Sequence, residues 1–287
     1  MDRFNACVAG SPIAHSKSPD LHTAALTALG IPGEYGAVEL TEDRLATHID
    51  THPELVGMSC TMPLKTTLAH LAHERNWTID PTVTTTGVAN TFVNTPTPSV
   101  YNTDVAGIVG ALRTPATSAA IVGSGATATS ALVALKELGC TSVDIYARNQ
   151  RTRTDLAHLA QSLHMDATHA GLENINWDHD IIVSTLPTGV DLDVPTRLSA
   201  TVLDVAYAHG SVGEKAKQAG AEVVSGLAML VEQAVAQFIH FVGVTGRSLS
   251  TLEVQRATVA MYEAVHLAPP MTPPITPPKG DSWSPSL

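Results

Sequence analysis

A chain of 287 residues with 44% hydrophobic and 15% charged residues is a folded protein with one large core or two smaller ones, well outside the disordered range. Its net charge of −11 argues against nucleic acid or an acidic membrane as partner, because both require positive surface. Cys7, Cys60 and Cys140 are too few and too widely spaced for a disulfide framework, and thirteen scattered histidines predict no metal site.

In chain order, "RFNACVAG" predicts a first strand. The N-terminal stretch has no long apolar core of the signal-peptide kind, and no apolar run approaches the length of a membrane span, so a cytoplasmic protein is expected. "SPDLHTAALTALG" predicts a helix, with Ser18 at the N-cap, Pro19 at the first helical position and Gly30 beyond the end. "LVGMSCTM" predicts a strand stopped by Pro63, and "HLAH" places His70 and His73 on an exposed helix. A helix follows "NTD", and "SAAIVGSGATATSALVALKELG" reads as strand, glycine turn and helix. "TSVDIYAR", "DIIVST" and "ATVLDVAY" are further strands, and helices close the chain at about 227–242 and 249–266. Strands alternating with helices imply an α/β fold with mostly parallel sheets. From Pro269 the sequence "PPMTPPITPPKGDSWSPSL" has no apolar period, and its prolines block helix and sheet, so residues 269–287 are expected to be a disordered tail.

"IVGSGATA" places Gly123, Gly125 and Ala128 in a G-x-G-x-x-A pattern between strand and helix. The first glycine makes the turn, the second lets backbone approach a pyrophosphate, and the helix N-terminus offers unpaired N–H groups. An NAD site carries an acid at the end of the next strand to bind the ribose hydroxyl. Here that strand ends in Ala147-Arg148-Asn149, followed by Arg151 and Arg153. An acid would repel a 2′-phosphate, whereas a guanidinium pairs with it, so the pattern predicts NADP. Asp144 lies earlier, inside the strand, where its side chain is not expected to reach the ribose. The simpler alternative is a solvated basic loop after a strand.

Before position 105, polar residues gather at element ends. Ser16 and Ser18 flank Lys17 at a helix start. Strand alternation puts Ser59 and Thr61 on one face, opposite Met58, Cys60 and Met62, with Lys65 close behind. Asn90 in "GVANT" and Asn102 and Asp104 in "YNTD" are placed similarly. Met229 and Gln233, four apart on a helix, share a face.

Together "GSPIAHSKSPDLH", "GMSCTMPLK", "GVANTF", "YNTDVAG", "VGSGATA", "VSTLPTG" and "GLAMLVEQAVAQF" resemble the shikimate dehydrogenase family in order and spacing, over about residues 6–243. The resemblance implies an N-terminal α/β substrate domain, residues 1–104, completed by C-terminal helices within 227–268. A Rossmann-type doubly wound dinucleotide domain would span 105–226. It implies the reversible NADPH-dependent reduction of 3-dehydroshikimate to shikimate, in aromatic amino-acid biosynthesis, by a monomer or homodimer.

Residue by residue, Lys65 and Asp104 match the family's catalytic pair, and Ser16 and Ser18 would bind the substrate carboxylate. Thr61, Asn90, Gln233 and Tyr207 would contact substrate, and so would Ser59, where the family more often has Asn. Gly123, Ser124, Gly125, Ala126 and Thr127 would face the pyrophosphate, Arg148 and Asn149 the adenosine phosphate, and Gly226 and Met229 the nicotinamide. Ala147 and Thr152 stand where the family has Asn and a second arginine, with Arg151 or Arg153 as candidate substitutes. Three alternatives remain open on the residues: an NAD-dependent quinate/shikimate dehydrogenase, a non-catalytic dinucleotide-binding paralogue, and a paralogue acting on an aminated ring.

Overall fold

The computed structural model describes residues 3–206 and 211–270. The first half builds a six-stranded mixed sheet from β1 (Phe4–Gly10), β2 (Gly33–Glu39), β3 (Gly57–Cys60), β4 (Thr78–Ile79), β5 (Thr91–Val93) and β6 (Ser99–Tyr101), in the order 2-1-3-5-6-4. β1 runs parallel to β2 and β3, while β5 is antiparallel to both β3 and β6. Helices α1 (Ser18–Leu29), α2 (Leu45–Thr51), α3 (Leu64–Glu74) and α4 (Pro81–Thr86) cover it. Helix α5 (Thr103–Leu112) leads to the second half.

There, β7 (Ser118–Val122), α6 (Ala126–Glu137), β8 (Ser142–Tyr146), α7 (Gln150–Ser162), β9 (Asp166–Ala170), β10 (Ile181–Ser184), β11 (Thr201–Asp204), α8 (Val212–Gln218) and β12 (Glu222–Ser225) follow in turn. Their sheet is parallel throughout, in the order 12-11-10-7-8-9. Read from β9, this is the 3-2-1-4-5-6 order of the doubly wound dinucleotide fold, with the strand order reversing between β7 and β10. The chain closes with α9 (Gly226–Val244) and α10 (Thr251–Ala264).

Alternation explains the layers. In β7, Ala119 and Ile121 join one core with Ile108, Leu132 and Leu135, whereas Ala120 and Val122 join another with Ile182 and Val202. In β1, Phe4, Ala6 and Val8 pack on Phe238, Phe241 and Met261 of the two last helices, while Cys7 and Ala9 face Leu64 and Leu68 of α3. The final helices thus return to the first sheet. Helix α9 is 19 residues long with a mean hydropathy of 1.5 and is apolar enough to cross a membrane by length and composition. That corrects the expectation that no run reaches such length. The reason for its apolarity is packing: Val231, Ala234, Phe238, Phe241 and Val242 are buried against the first sheet, and Met229 reaches the core of the second.

The strand predicted through Met62 ends at Cys60, and Met62 is exposed. The helix signal places Ser18 at the N-cap and Pro19 at the first helical position; in the structure Lys17 holds the N-cap, no side chain caps the helix and Pro19 is its second residue, while the left-handed Gly30 (φ 62°) ends it as expected. His70 and His73 are exposed on α3. Residues 271–287 of the proline-rich stretch, and Tyr207, lie outside the described residues.

Candidate active site

The two sheets meet where α5 crosses α9. A Cβ on Gly107 would meet Gln233 Cβ and the Met229 carbonyl at 2.8 Å, so only glycine permits this approach. One turn earlier on α5 stands Asp104, in the helix's first turn. Its Oδ2 accepts from Lys65 Nζ, and its Oδ1 accepts from Asn90 Nδ2 at 2.9 Å. The Lys65 and Asp104 side chains are 15% and 5% exposed, so the pair is sheltered, with the lysine retaining access to solvent. Lys65 enters from the first turn of α3 and Asn90 from the segment before β5, so three distant stretches converge.

Asn90 is held from every side. Its Oδ1 accepts from Thr103 N at 2.8 Å, Thr103 Oγ1 at 3.0 Å and Thr91 Oγ1 at 2.8 Å, and its carbonyl accepts from Cys60 N at 2.8 Å. That saturates the acceptor and turns the amide NH2 toward Asp104 and, at 3.5 Å, Gln233 Oε1. Gln233 is itself anchored by its Nε2 donating to Leu230 O at 2.8 Å. A fully satisfied buried network of this kind fixes one geometry.

Thr61 and the turn carrying Ser16 lie alongside. Thr61 N donates to Ala9 O at 2.9 Å and Ser11 N to Met62 O at 2.9 Å, which ties the exit of β1 to the segment after β3. Ser16 Oγ accepts from Ser18 N at 3.4 Å. Ser18 is buried and its hydroxyl does not cap the helix.

Ser59 is put to another use. Its hydroxyl donates to Gln237 Oε1 at 2.6 Å and accepts from Tyr35 Oη at 2.7 Å, in a buried setting. Gln237 Nε2 in turn donates to Asn90 O at 3.3 Å and Thr91 Oγ1 at 3.1 Å. Tyr35 stacks on His22 with centroids 3.9 Å apart, and burial pushes the imidazole down to about 3, leaving it neutral. Sequence reasoning did not single out Gln237. The signal was its spacing, since Met229, Gln233 and Gln237 recur every four residues along one face of α9. Burial raises the Cys60 thiol, so this neighbour of Thr61 is an unreactive core residue.

On the second sheet, Gly123 has φ 121°, and a Cβ there would collide with Thr185 Oγ1 at the crevice between β7 and β10. Its N–H donates to Tyr146 O at 2.8 Å. A Cβ on Gly125 would meet no protein atom, so internal packing does not require that glycine; it leaves the backbone open to a ligand. No side chain caps α6 there, which leaves the N–H groups of Ala126 and Thr127 at a helix N-terminus. Ser124 Oγ lies 2.6 Å from Thr152 Oγ1, so Thr152 supports the glycine turn.

Arg148 is exposed at the end of β8. Asn149 caps α7, its side chain accepting from Arg151 N at 2.9 Å and Thr152 N at 3.3 Å. Arg153 turns inward, with Nη1 donating to Ala147 O at 2.8 Å, whereas Arg151 is 90% exposed. Of the two candidate substitutes, Arg151 is the one that reaches solvent, where only an exposed i,i+4 contact to Asp155 at 4.0 Å holds it. Asp144 is engaged within its own sheet, accepting from Thr168 Oγ1 at 2.6 Å and Tyr146 Oη at 3.1 Å. Gly226 starts α9 against the Asp204 and Val205 carbonyls, where a side chain would collide.

Together the structure holds a dinucleotide-type glycine turn on one sheet and a buried Lys–Asp–Asn cluster beside it on the other, the two parts a nucleotide-dependent oxidoreductase requires. Residues 8–92 match the model of the shikimate dehydrogenase substrate binding domain. A shikimate dehydrogenase (NADP(+)) of Anaeromyxobacter dehalogenans is 30% identical over 260 residues, covering 82% of this chain and 90% of the relative. The crystal structure of a shikimate 5-dehydrogenase from Mycobacterium fortuitum matches with a TM-score of 0.74 and 34% identity, covering 90% of this chain and 98% of that one. A shikimate 5-dehydrogenase from Thermus thermophilus, solved in complex with NADP(H) and shikimate, matches with a TM-score of 0.75 and 26% identity over 91% and 99% of the two chains. The chain belongs to the shikimate dehydrogenase family, and it is an oxidoreductase.

Proposed function

We propose that this chain catalyses the reversible NADPH-dependent reduction of 3-dehydroshikimate to shikimate, a step of aromatic amino-acid biosynthesis. The observation that carries the reading is the Lys65–Asp104 pair, held by Asn90 beside the glycine-turn sheet. The relatives' names and the Thermus thermophilus complex with NADP(H) and shikimate support the choice of ligands. In this reading residues 1–104 with 227–268 form the substrate domain and residues 105–226 the cofactor domain.

NADPH, when bound, supplies the hydride that adds to the ketone carbon. The oxygen then gains negative charge and takes one proton from the Lys65 ammonium, giving the alcohol; oxidation reverses each transfer. Asp104 accepts from that ammonium and aims it, and Asn90 aims Asp104. Ser16, Ser18 and Thr61 offer hydroxyl donors to the substrate carboxylate, and the Gln233 amide a donor and an acceptor to ring hydroxyls. Ser59 is left out, since its hydroxyl is engaged by Tyr35 and Gln237. The amides of Ala126 and Thr127 would take the pyrophosphate, and Arg148 with Arg151 the 2′-phosphate. Gly226 and Met229 would line the nicotinamide end.

The test is an initial-rate matrix crossing shikimate and quinate with NADP+ and NAD+, followed by absorbance of the reduced cofactor. Turnover confined to shikimate with NADP+ is expected. Faster turnover of quinate with NAD+ would overturn both the substrate and the arginine assignments.

A further inference from the structure

Asn102 occupies the N-cap position of α5 but caps nothing. Its amide reaches sideways instead, across the boundary between the two sheets. Nδ2 lies 3.0 Å from Ser130 Oγ on α6 and 3.1 Å from Thr86 Oγ1 on α4. Both ends of the first contact are buried, with Ser130 fully so and Asn102 4% exposed. The Ser130 hydroxyl also lies 3.2 Å from the carbonyl of Ala126, the first residue of the helix that follows the glycine turn. Thr86 Oγ1 accepts from Val88 N at 3.2 Å, two residues before Asn90.

The geometry points to Asn102 and Ser130 as positioning residues that link the cofactor helix to the acid–base pair, so that each ligand's binding strengthens the other's. This rests on the function proposed above. Asp104 lies two positions after Asn102, and Thr103 between them is fixed by Asn90. A shift of α6 at the glycine turn therefore acts on the start of α5 through the Asn102–Ser130 hydrogen bond, and the start of α5 carries the carboxylate that aims Lys65. Packing alone does not call for this serine. The flanking Ala128, Ala131 and Leu132 already bury α6 in its core, and alanine at 130 would fit the helix and keep its propensity. What the hydroxyl adds is a directional bond between buried partners, which transmits displacement where apolar contacts slide.

The experiment is calorimetric titration of shikimate into the full chain, with and without saturating NADPH, a pair that cannot react because both are reduced, for wild type, Ser130→Ala, Asn102→Ala and the double variant. Wild type is expected to bind shikimate about fivefold or more tightly when NADPH is present. Ser130→Ala should bring that ratio at least about twofold closer to one, the size of one hydrogen bond, with shikimate affinity in the absence of NADPH little changed. The double variant should lose no more of the ratio than Asn102→Ala alone. A purely structural serine would lower the melting temperature and leave the ratio untouched, and that result overturns the proposal. So does a wild-type ratio of one. A wild-type chain that binds neither ligand overturns the functional reading itself, and is recognised before any variant is made.

Discussion

The two sheets solve recognition in opposite ways. The second is parallel throughout, apolar on both faces, and presents its chemistry as backbone: a glycine at φ 121°, an open glycine after it, and a helix N-terminus. The first is mixed, and beneath its site runs a connected set of buried side chains, from His22 and Tyr35 through Ser59, Gln237 and Asn90 to Asp104 and Lys65. The difference follows from the task. Phosphate can be bound adequately by fixed amides at the end of a central strand, whereas proton transfer needs one side chain in one rotamer, and only neighbours can impose that.

This difference can be broken most severely at Asp104. Asp104→Asn should lower kcat about a hundredfold or more, because an amide carries no charge and offers a single acceptor oxygen where Lys65 and Asn90 each need one, while the KM for NADP+ stays near wild type. An equal rise in the KM for both ligands would assign the residue to the scaffold of both sheets. Arg148→Ala should raise the KM for NADP+ about ten- to a hundredfold and leave that for NAD+ alone, as expected for loss of a charge-assisted contact. If both cofactors respond equally, the arginine serves the loop and not the 2′-phosphate. Gly123→Ala confronts the left-handed backbone and Thr185 together, and should cost about 1–3 kcal/mol of stability, read by thermal melting.

The smallest effect lies at the opposite end of the central strands of the second sheet, where β7 and β10 begin. The Asp180 carboxylate accepts from Thr117 N at 2.9 Å and Ser118 N at 3.0 Å, which holds it down at about 2 from an ordinary 3.8. A carboxyl depressed by folding stabilises above its unfolded value, and that contribution disappears as pH falls from about 4 to about 2. Asp180→Asn should therefore flatten the acid limb of the melting-temperature profile without touching catalysis. A profile superimposable on wild type would show that folding does not depress this carboxyl.

The same contrast decided what was legible in the sequence. Backbone chemistry leaves local marks: Gly123 and Gly125 between an apolar strand and a helix, Pro19 and Gly30 bracketing α1, and arginines where an acid would select NAD. Side-chain networks leave few. Lys65, Asn90, Asp104 and Gln233 lie on four separate elements, and only the family resemblance drew them together. Ser59 faces the way alternation predicts, yet what it meets there, Tyr35 and Gln237, belongs to residues far off in the chain. The strands that escaped notice were of a related kind. β2, β4, β9 and β12 are sheet edges with mostly exposed or half-buried residues, and so carry no two-sided apolar run, while β5 and β6 are buried but only three residues each, too short to show a period. Ser18 misled because a serine before proline at a helix start reads as a cap, and no local rule shows that Lys17 holds the N-cap position instead.

The most direct test is a pair of numbers from Lys65→Ala: its kcat for shikimate oxidation and its dissociation constant for shikimate. If Lys65 is the proton-transfer group, kcat falls about 10²- to 10⁴-fold while shikimate still binds within a few-fold of wild type. Intact turnover with greatly weakened binding would contradict that role, and would make the buried Lys65–Asp104 pair a substrate anchor.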